Sequence, residues 1–349
     1  EGTFVSHYYR KGKDILLNPL DVRCPAWNVW QEGNKASDFE AMAASMMPLH
    51  LAGTDPFWIH SARTIFACAA QGLDLKNQRS MKELLVPLFS ESLGSLSRLV
   101  SGSVAESLVS DKNEKTALSI KATLSTYCKA LRYLQDEGGP LFSISDWLKC
   151  DAQDSWLFIA TDAQSVEALK PLISVWLDVA AKAVLSLAPS DTRRLWFILD
   201  ELPSLHRLPN LINTLARGRK YGGCFVAAIQ DIHQIRGLYG HNEAETFLSL
   251  FNTNLCYRTK CPQTASWMSK IMGGLEYMEK KEAYSYGAHE TRDSVSVQPE
   301  RRREAVIKET EFLELNDCEA FLKLPGHWPV TSLRFTPKER EKLSEPLLE

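Results

Sequence analysis

Four short, unbroken runs of apolar residues stand out along the chain. They lie at 15–17, 156–160, 195–199 and 225–229, and a polar residue follows each of them. A run of this kind predicts a strand that is buried on both faces, as in a parallel sheet. Segments with helical periodicity separate the later runs, the longest from about 164 to 187. This alternation predicts strand–helix–strand units with right-handed crossovers, and therefore an α/β fold.

The stretch 33–150 has a different pattern. Apolar residues recur there at helical spacing, as at Leu93, Leu96 and Val100, and Asp55-Pro56 has the form of a helix start. Few of the alternating or continuous apolar patterns that are typical of strands occur in this stretch. We therefore expect it to form an all-α domain.

The C-terminal part carries three further patterns. Residues 255–259 predict another strand, and residues 264–272 predict a helix that glycines end. The polar, charged segment 276–310 is expected to be a loop or a hairpin arm. Alternating apolar residues at 321–326 and 330–335 predict a terminal hairpin.

Two adjacent carboxylates, Asp200 and Glu201, end the apolar run 195–199. Ligands of open α/β sheets bind outside the carboxyl ends of strands, so acids at this point are candidate site residues. Asp200 can hold Mg²⁺, directly or through water. Glu201 can orient and deprotonate an attacking water. This is the form of a Walker B motif; the alternative is a buried strand that ends in an acidic turn.

The residues that follow favour the nucleotide-site interpretation. A helical pattern leads to the basic, glycine-broken turn 217–223, and the next apolar run ends in Gln230. This is the order of a βαβ unit. Gln230 can sense a γ-phosphate, or simply cap a strand end. Arg219 can reach the γ-phosphate of a neighbouring subunit as an arginine finger, although Arg217 and Lys220 compete for that role and a surface role is the alternative.

Three segments resemble the coupling proteins of conjugative type IV secretion, the TraD/TrwB group: ILLNPLD, LWFILDELPSL and LARGRKYGGCFVAAIQ. These proteins are ring-forming ATPases related to the FtsK/HerA DNA translocases. The resemblance implies a RecA-like P-loop NTPase core with a parallel sheet and an inserted all-α domain. It assigns residues 1–32 to the N-terminal part of the nucleotide-binding domain and residues 33–150 to the all-α domain. Residues 151–349 return to the nucleotide-binding domain and end in a hairpin and a tail.

The resemblance also implies a function and a set of ligands. The cofactors would be ATP and Mg²⁺, with Asp200 as the magnesium ligand and with Glu201, Arg219 and Gln230 at the reacting phosphate. The partners would be DNA, relaxase and relaxosome proteins, type IV secretion ATPases, the inner-membrane channel and further copies of the chain in a hexameric ring. The implied function is a motor that links a relaxase–DNA complex to the secretion channel. An FtsK/HerA-type translocase and a non-catalytic binding module remain as alternatives.

The sequence departs from the family pattern at the P-loop, the loop that binds the nucleotide phosphates. The sequence contains no G-x-x-x-x-G-K-[ST] motif. Coupling proteins carry this loop, and two membrane helices before it, upstream of the equivalent point. We therefore expect ATPase activity of the intact protein, and little ATP hydrolysis by this chain alone.

Net charge, cysteine spacing and hydropathy restrict the possible kinds of protein further. The formal net charge is −3, so contact with DNA would need local basic surface rather than a basic chain. The eight cysteines include no C-x-x-C pair and predict reduced thiols without a metal. No apolar stretch reaches the roughly 20 residues that span a membrane. The resemblance to coupling proteins then implies the cytoplasmic domain of a bacterial inner-membrane protein.

Overall fold

A computed structural model gives the structure of residues 3–49, 55–90, 92–110, 113–134, 141–150, 154–285 and 294–348. The chain divides into two compact units. The first unit comprises Glu1–Ile229, Arg236–Ala244 and Arg340–Glu349. The second comprises Gln230–Ile235 and Glu245–Glu339.

Two parallel strand pairs form the sheets of the first unit. β1 (Ile15–Leu17) pairs with β2 (Leu157–Ile159), and β3 (Leu195–Leu199) pairs with β4 (Gly223–Ala227). The four predicted strands and their parallel direction are confirmed, although β4 begins and ends two residues earlier than its apolar run. Within the described residues, backbone hydrogen bonds place the strands in two separate two-stranded sheets.

Helices make up most of the remaining first unit. They are α1 (Thr3–Tyr8), α2 (Ala36–Met46), α3 (Pro56–Leu75), α4 (Met81–Phe89), α5 (Leu93–Val100), α6 (Glu114–Cys128), α7 (Ile144–Lys149), α8 (Val166–Val184) and α9 (Leu211–Arg217). Two more helices, α10 (Ile232–Tyr239) and α11 (His241–Ser249), contribute residues to both units.

The described parts of 33–150 contain helices and 3₁₀ turns but no named strand. A single bridge between Ala26 and Leu141 is the exception to their helical character. The predicted all-α content is therefore confirmed. These helices belong to the same compact unit as the parallel strands, so the proposed domain limits at 32 and 150 stay a prediction.

Capping side chains explain where several of these helices begin. The Asp55 carboxylate accepts a hydrogen bond from the Phe57 amide at 2.9 Å, and Pro56 occupies the first turn of α3. In α2 the helix begins after Lys35, and the Asp38 carboxylate accepts a hydrogen bond from the Lys35 amide at 3.2 Å. From inside the first turn, Asp38 thus provides the Lys35 backbone amide with a hydrogen-bond acceptor at the start of the helix.

β3 is not buried on both faces, contrary to the prediction from its apolar run. Phe197 stacks on Phe225 of β4, with ring centroids 4.6 Å apart. On the other face, Trp196 is 64% exposed and Ile198 and Val226 are each 48% exposed. An unbroken apolar run indicates that both faces suit burial, but it does not show which element covers them. Within the described residues, the face of Trp196, Ile198 and Val226 is open.

The second unit is built mainly from antiparallel strands. β5 (Asn254–Tyr257), β8 (Glu319–Lys323) and β9 (Thr331–Arg334) form a three-stranded sheet, and β6 (Gly274–Ser285) and β7 (Ser294–Ala305) form a long ribbon. The helices α12 (Pro262–Met272) and α13 (Glu309–Glu314) complete the unit, with Phe312 in its core. The predicted terminal hairpin is confirmed as β8–β9, and the predicted arm is the ribbon β6–β7.

No helix in the described part of the chain combines the length and the apolar character that crossing a bilayer requires.

Candidate functional site

The acidic pair lies at the carboxyl end of β3. Asp200 directly follows the strand, whose last residue, Leu199, accepts a hydrogen bond from the Ala228 amide at 2.8 Å. Asp200 is exposed, and Glu201 is half-buried. The Glu201 carbonyl accepts hydrogen bonds from the Ser204 amide at 3.1 Å and the Ser204 hydroxyl at 2.7 Å. The backbone is therefore folded into a tight turn directly after the two acids.

This position fits a divalent cation. An exposed carboxylate at the carboxyl end of a parallel strand is an oxygen ligand that Mg²⁺ can reach, directly or through water. Leu202 is fully buried and anchors the turn that follows. The acids are thus held on a fixed piece of backbone rather than on a free loop.

A buried carboxylate holds the segment between the acidic pair and α9. Asp178 of α8 is 2% exposed and accepts hydrogen bonds from the Ser45 hydroxyl at 2.6 Å, the Asn210 amide at 2.8 Å and the Asn210 side-chain amide at 2.6 Å. Burial raises the pKa of the Asp178 carboxyl, and these hydrogen bonds offset only part of that effect. Sequence reasoning missed Asp178, although an acid among the apolar residues of a predicted helix was a signal.

Further hydrogen bonds tie the same segment to its neighbours. The His206 amide donates to the Ser174 hydroxyl of α8 at 3.0 Å. The Leu208 amide donates to the Tyr239 hydroxyl at 3.3 Å, and burial raises the pKa of Tyr239 to about 12. The segment behind the acidic pair is consequently fixed to α8 and α10.

Arg219 lies at the opposite edge of the strand pair. It belongs to the 3₁₀ turn Gly218–Tyr221, which Gly222 joins to β4, and it is exposed, as are Arg217 and Lys220. Because β3 and β4 run parallel, the start of β4 is at the edge away from Asp200. At a rise of about 3.3 Å per residue, the strands separate the two edges by roughly 13 Å. The structure therefore does not bring Arg219 to the acidic pair of its own chain.

Glycine shapes the turn that carries Arg219. Gly222 has φ +89°, in the left-handed region, and a Cβ there would lie 2.6 Å from the Arg193 carbonyl oxygen. Only glycine combines this backbone conformation with so close an approach. The basic turn is thus held closely against Arg193, two residues before β3.

Gln230 is the first residue of the second unit and is exposed. It follows β4 closely along the chain, as the sequence predicts. Asp231 comes next, and its carboxylate accepts hydrogen bonds from the His233 amide at 2.8 Å and the Thr264 hydroxyl at 3.1 Å. Burial alone would raise the pKa of the Asp231 carboxyl, but hydrogen bonds, with those from the His233 amide and the Cys261 thiol the largest, lower it overall.

Comparison with known proteins identifies the family. A family model described as the type IV secretion-system coupling protein DNA-binding domain matches residues 1–336. The chain belongs to this family. Coupling protein TraD of Escherichia coli (strain K12) is 38% identical over 350 residues, which cover 98% of this chain and 48% of TraD. The chain therefore spans about half the length of this relative.

Solved coupling-protein structures have the same fold. The plasmid coupling protein TrwB in complex with the non-hydrolysable ATP analogue ADPNP matches with a TM-score of 0.85 and 30% identity, covering all of this chain and 80% of TrwB. TrwB in complex with ADP and Mg²⁺ matches with a TM-score of 0.84 and 30% identity, covering all of this chain and 79% of TrwB. The predicted RecA-like P-loop NTPase fold with a helical domain is confirmed.

Proposed function

We propose that this chain is part of the ATP-driven motor of a conjugative coupling protein, which moves DNA or a relaxase–DNA complex toward a type IV secretion channel. The observation that carries the proposal is the pair Asp200–Glu201 at the carboxyl end of a parallel strand. Membership of the coupling-protein family supports it, as do the ATP-analogue and ADP–Mg²⁺ complexes of TrwB. The motor would act at the cytoplasmic side of the inner membrane, beside the relaxosome and the secretion ATPases.

The proposed roles follow from the chemistry of each side chain. Asp200 would hold Mg²⁺, which when bound offsets the negative charge of the nucleotide phosphates. Glu201 would orient the attacking water and accept its proton, while Gln230 would donate a hydrogen bond to the γ-phosphate. Each of these residues lies at or shortly after the carboxyl end of β3 or β4.

Arg219 is proposed to act across an interface. It is exposed at the edge away from its own acidic pair, which suits contact with the nucleotide of another subunit. Such contact requires a closed or stacked assembly of identical chains, and a hexameric ring satisfies this requirement. Arg219 would then stabilise the charge that develops on the γ-phosphate during transfer.

The exposed apolar face of β3 and β4 indicates that another element packs on it in the intact motor. Three apolar side chains, Trp196, Ile198 and Val226, are 48–64% exposed on that face. Burying them would remove apolar surface from water at roughly 25 cal/mol per Å². We infer that a phosphate-binding loop and its helix cover them in the intact motor.

The test is Glu201→Gln in the intact coupling protein. The amide still fills the site but cannot accept a proton, so ATP binding should persist while DNA-stimulated hydrolysis falls by roughly 10²–10⁴-fold. Asp200→Ala should also weaken the use of Mg·ATP, because it removes a charged oxygen from the metal's surroundings. Binding is measured with a fluorescent nucleotide and hydrolysis by phosphate release.

Glu314→Gln, an exposed acid on α13, is the matched control and should leave both measurements unchanged. Unchanged hydrolysis in Glu201→Gln would remove the catalytic role of this residue. Absence of DNA-stimulated hydrolysis in the unsubstituted intact protein would instead favour a non-catalytic binding module.

A further inference from the structure

Three side chains of different chemistry converge in the second unit. Asp231, His233 and Cys261 each offer one ligand atom, and these atoms all lie within 4.8 Å of one another. Asp231 and His233 lie at the start of α10, and Cys261 directly precedes α12. The fold therefore assembles a carboxylate oxygen, an imidazole nitrogen and a thiol sulfur from two helix starts.

The helix-capping role of Asp231 accounts for only part of this arrangement. Its carboxylate caps α10 through the His233 amide at 2.8 Å. Capping requires neither the imidazole of His233 nor the thiol of Cys261. The proximity of these two groups to the carboxylate is therefore a separate feature of the site.

A buried hydroxyl orients the carboxylate from behind. Thr264 of α12 is 3% exposed, and its hydroxyl donates to Asp231 Oδ1 at 3.1 Å while accepting a hydrogen bond from the Ile232 amide at 3.3 Å. Metal-ligating carboxylates are commonly held in this way by a hydrogen-bond partner that does not touch the metal. The His233 amide donates to the same oxygen, and the Cys261 thiol also donates a hydrogen bond to this carboxylate, which a metal ion bound to the thiolate would replace.

We propose that Asp231, His233 and Cys261 form a binding site for a transition-metal ion of the zinc type. One nitrogen, one sulfur and one oxygen donor suit Zn²⁺, and a water would complete a tetrahedral shell. Bonds of about 2.0–2.3 Å place tetrahedral ligands about 3.4–3.8 Å apart. Ligand atoms that lie within 4.8 Å of one another therefore need to close by at most about 1.4 Å. His233 is exposed and free to make that adjustment.

The donor set distinguishes this ion from the Mg²⁺ of the nucleotide site. Mg²⁺ selects oxygen ligands, whereas thiolate and imidazole select softer ions. The bound ion would tie the start of α10 to the start of α12 and fix the backbone that directly follows Gln230. The proposal itself rests on the second unit alone and does not depend on ATP hydrolysis.

The experiment uses the full chain, stripped of metal with a chelator and titrated with Zn²⁺ in competition with a chromophoric zinc indicator. We expect one tight site per chain that excess Mg²⁺ does not displace. Co²⁺ in place of Zn²⁺ should give a thiolate-to-cobalt charge-transfer band, because sulfur is a ligand. Cys261→Ser should abolish the band, and Cys261→Ser and His233→Gln should each lower zinc affinity at least tenfold, since loss of mere supporting residues already costs about 10–100-fold.

Two substitutions in the same unit serve as matched controls. Cys318 and His327 are exposed, so Cys318→Ser and His327→Gln should keep the cobalt band and the zinc affinity. The proposal is overturned if the unsubstituted chain takes up no more zinc than a Cys261→Ser, His233→Gln double variant. It is equally overturned if Cys318→Ser loses as much affinity as Cys261→Ser. Should Cys261→Ser fail to fold by circular dichroism, His233→Gln decides alone, because that side chain is exposed.

Discussion

Asp178 offers a quantitative test of how the segment behind the acidic pair is held. Asp178→Ala removes the acceptor of three hydrogen bonds, one from Ser45 and two from Asn210. The Ser45 hydroxyl keeps a second acceptor, the Ala41 carbonyl at 3.0 Å, but the two Asn210 donors lose theirs. A buried donor left unsatisfied costs about 1–3 kcal/mol. The substitution also removes the cost of burying the carboxylate charge, which offsets part of this loss. We therefore expect the free energy of unfolding to fall by roughly 2–4 kcal/mol.

Asp178→Asn is the conservative comparison. It keeps the shape and one oxygen for the Asn210 backbone amide, and the Asn210 side chain can turn to present its own oxygen to the new amide. We expect a loss within about 1 kcal/mol at neutral pH. Since burial raises the pKa of Asp178, the stability that its protonated form provides is lost as pH rises through the folded-state pKa. The disadvantage of Asp178→Asn should therefore be largest in acid and shrink as pH rises.

Urea unfolding followed by circular dichroism gives the loss of stability, and hydrogen exchange of residues 205–217 reports local release. In Asp178→Ala these residues should exchange faster, whereas α12 in the second unit should be unchanged. An Asp178→Ala variant as stable as the unsubstituted chain would show that these hydrogen bonds do not hold the segment. Equal destabilisation of Asp178→Asn and Asp178→Ala would show the same, because Asp178→Asn keeps acceptors that Asp178→Ala lacks.

Two further predictions concern the turn before β4. Gly222→Ala should lower stability by about 1–3 kcal/mol in thermal unfolding, because of its φ of +89° and the close Arg193 carbonyl. Gly237→Ala in α10, where a Cβ has nothing within 4 Å, is the control and should be neutral or slightly stabilising. In the intact protein, Arg219→Ala should keep nucleotide binding but reduce turnover by roughly 10³–10⁵-fold, as loss of an arginine finger does. Mixing it with Glu201→Gln subunits should restore partial activity, and no gain in confirmed mixed rings would leave Arg219 a surface residue.

Local patterns predicted the elements of the fold well. Helical spacing identified the helices of 33–150, and the four apolar runs identified β1 to β4, because both signals depend on residues close in sequence. Whether another element packs on a given face of a strand was not predictable in this way. The open side of Trp196 and Ile198 depends on which distant element packs there, and an apolar run carries no information on that.

The same distinction applies to the candidate sites. Asp200 and Glu201 were found because they are adjacent and follow a recognisable strand. Asp178 and Asn210 are brought together by packing of α8 against the segment before α9, which no short motif records. Cys261 likewise joins Asp231 and His233 only through the fold, so the expectation of metal-free cysteines rested on sequence spacing alone.

The parallel register of β3 and β4 links the arginine-finger hypothesis to assembly. Leu195 pairs with Gly223 and Leu199 with Ala227, so residues before β4 and residues after β3 must lie at opposite edges. Adjusting one side chain does not close a separation of roughly 13 Å without bending the strands. If Arg219 contacts a γ-phosphate at all, that nucleotide must therefore belong to another subunit. A monomeric form with full turnover would exclude the role of Arg219 and leave that of Glu201 intact, so the two assignments can be tested separately.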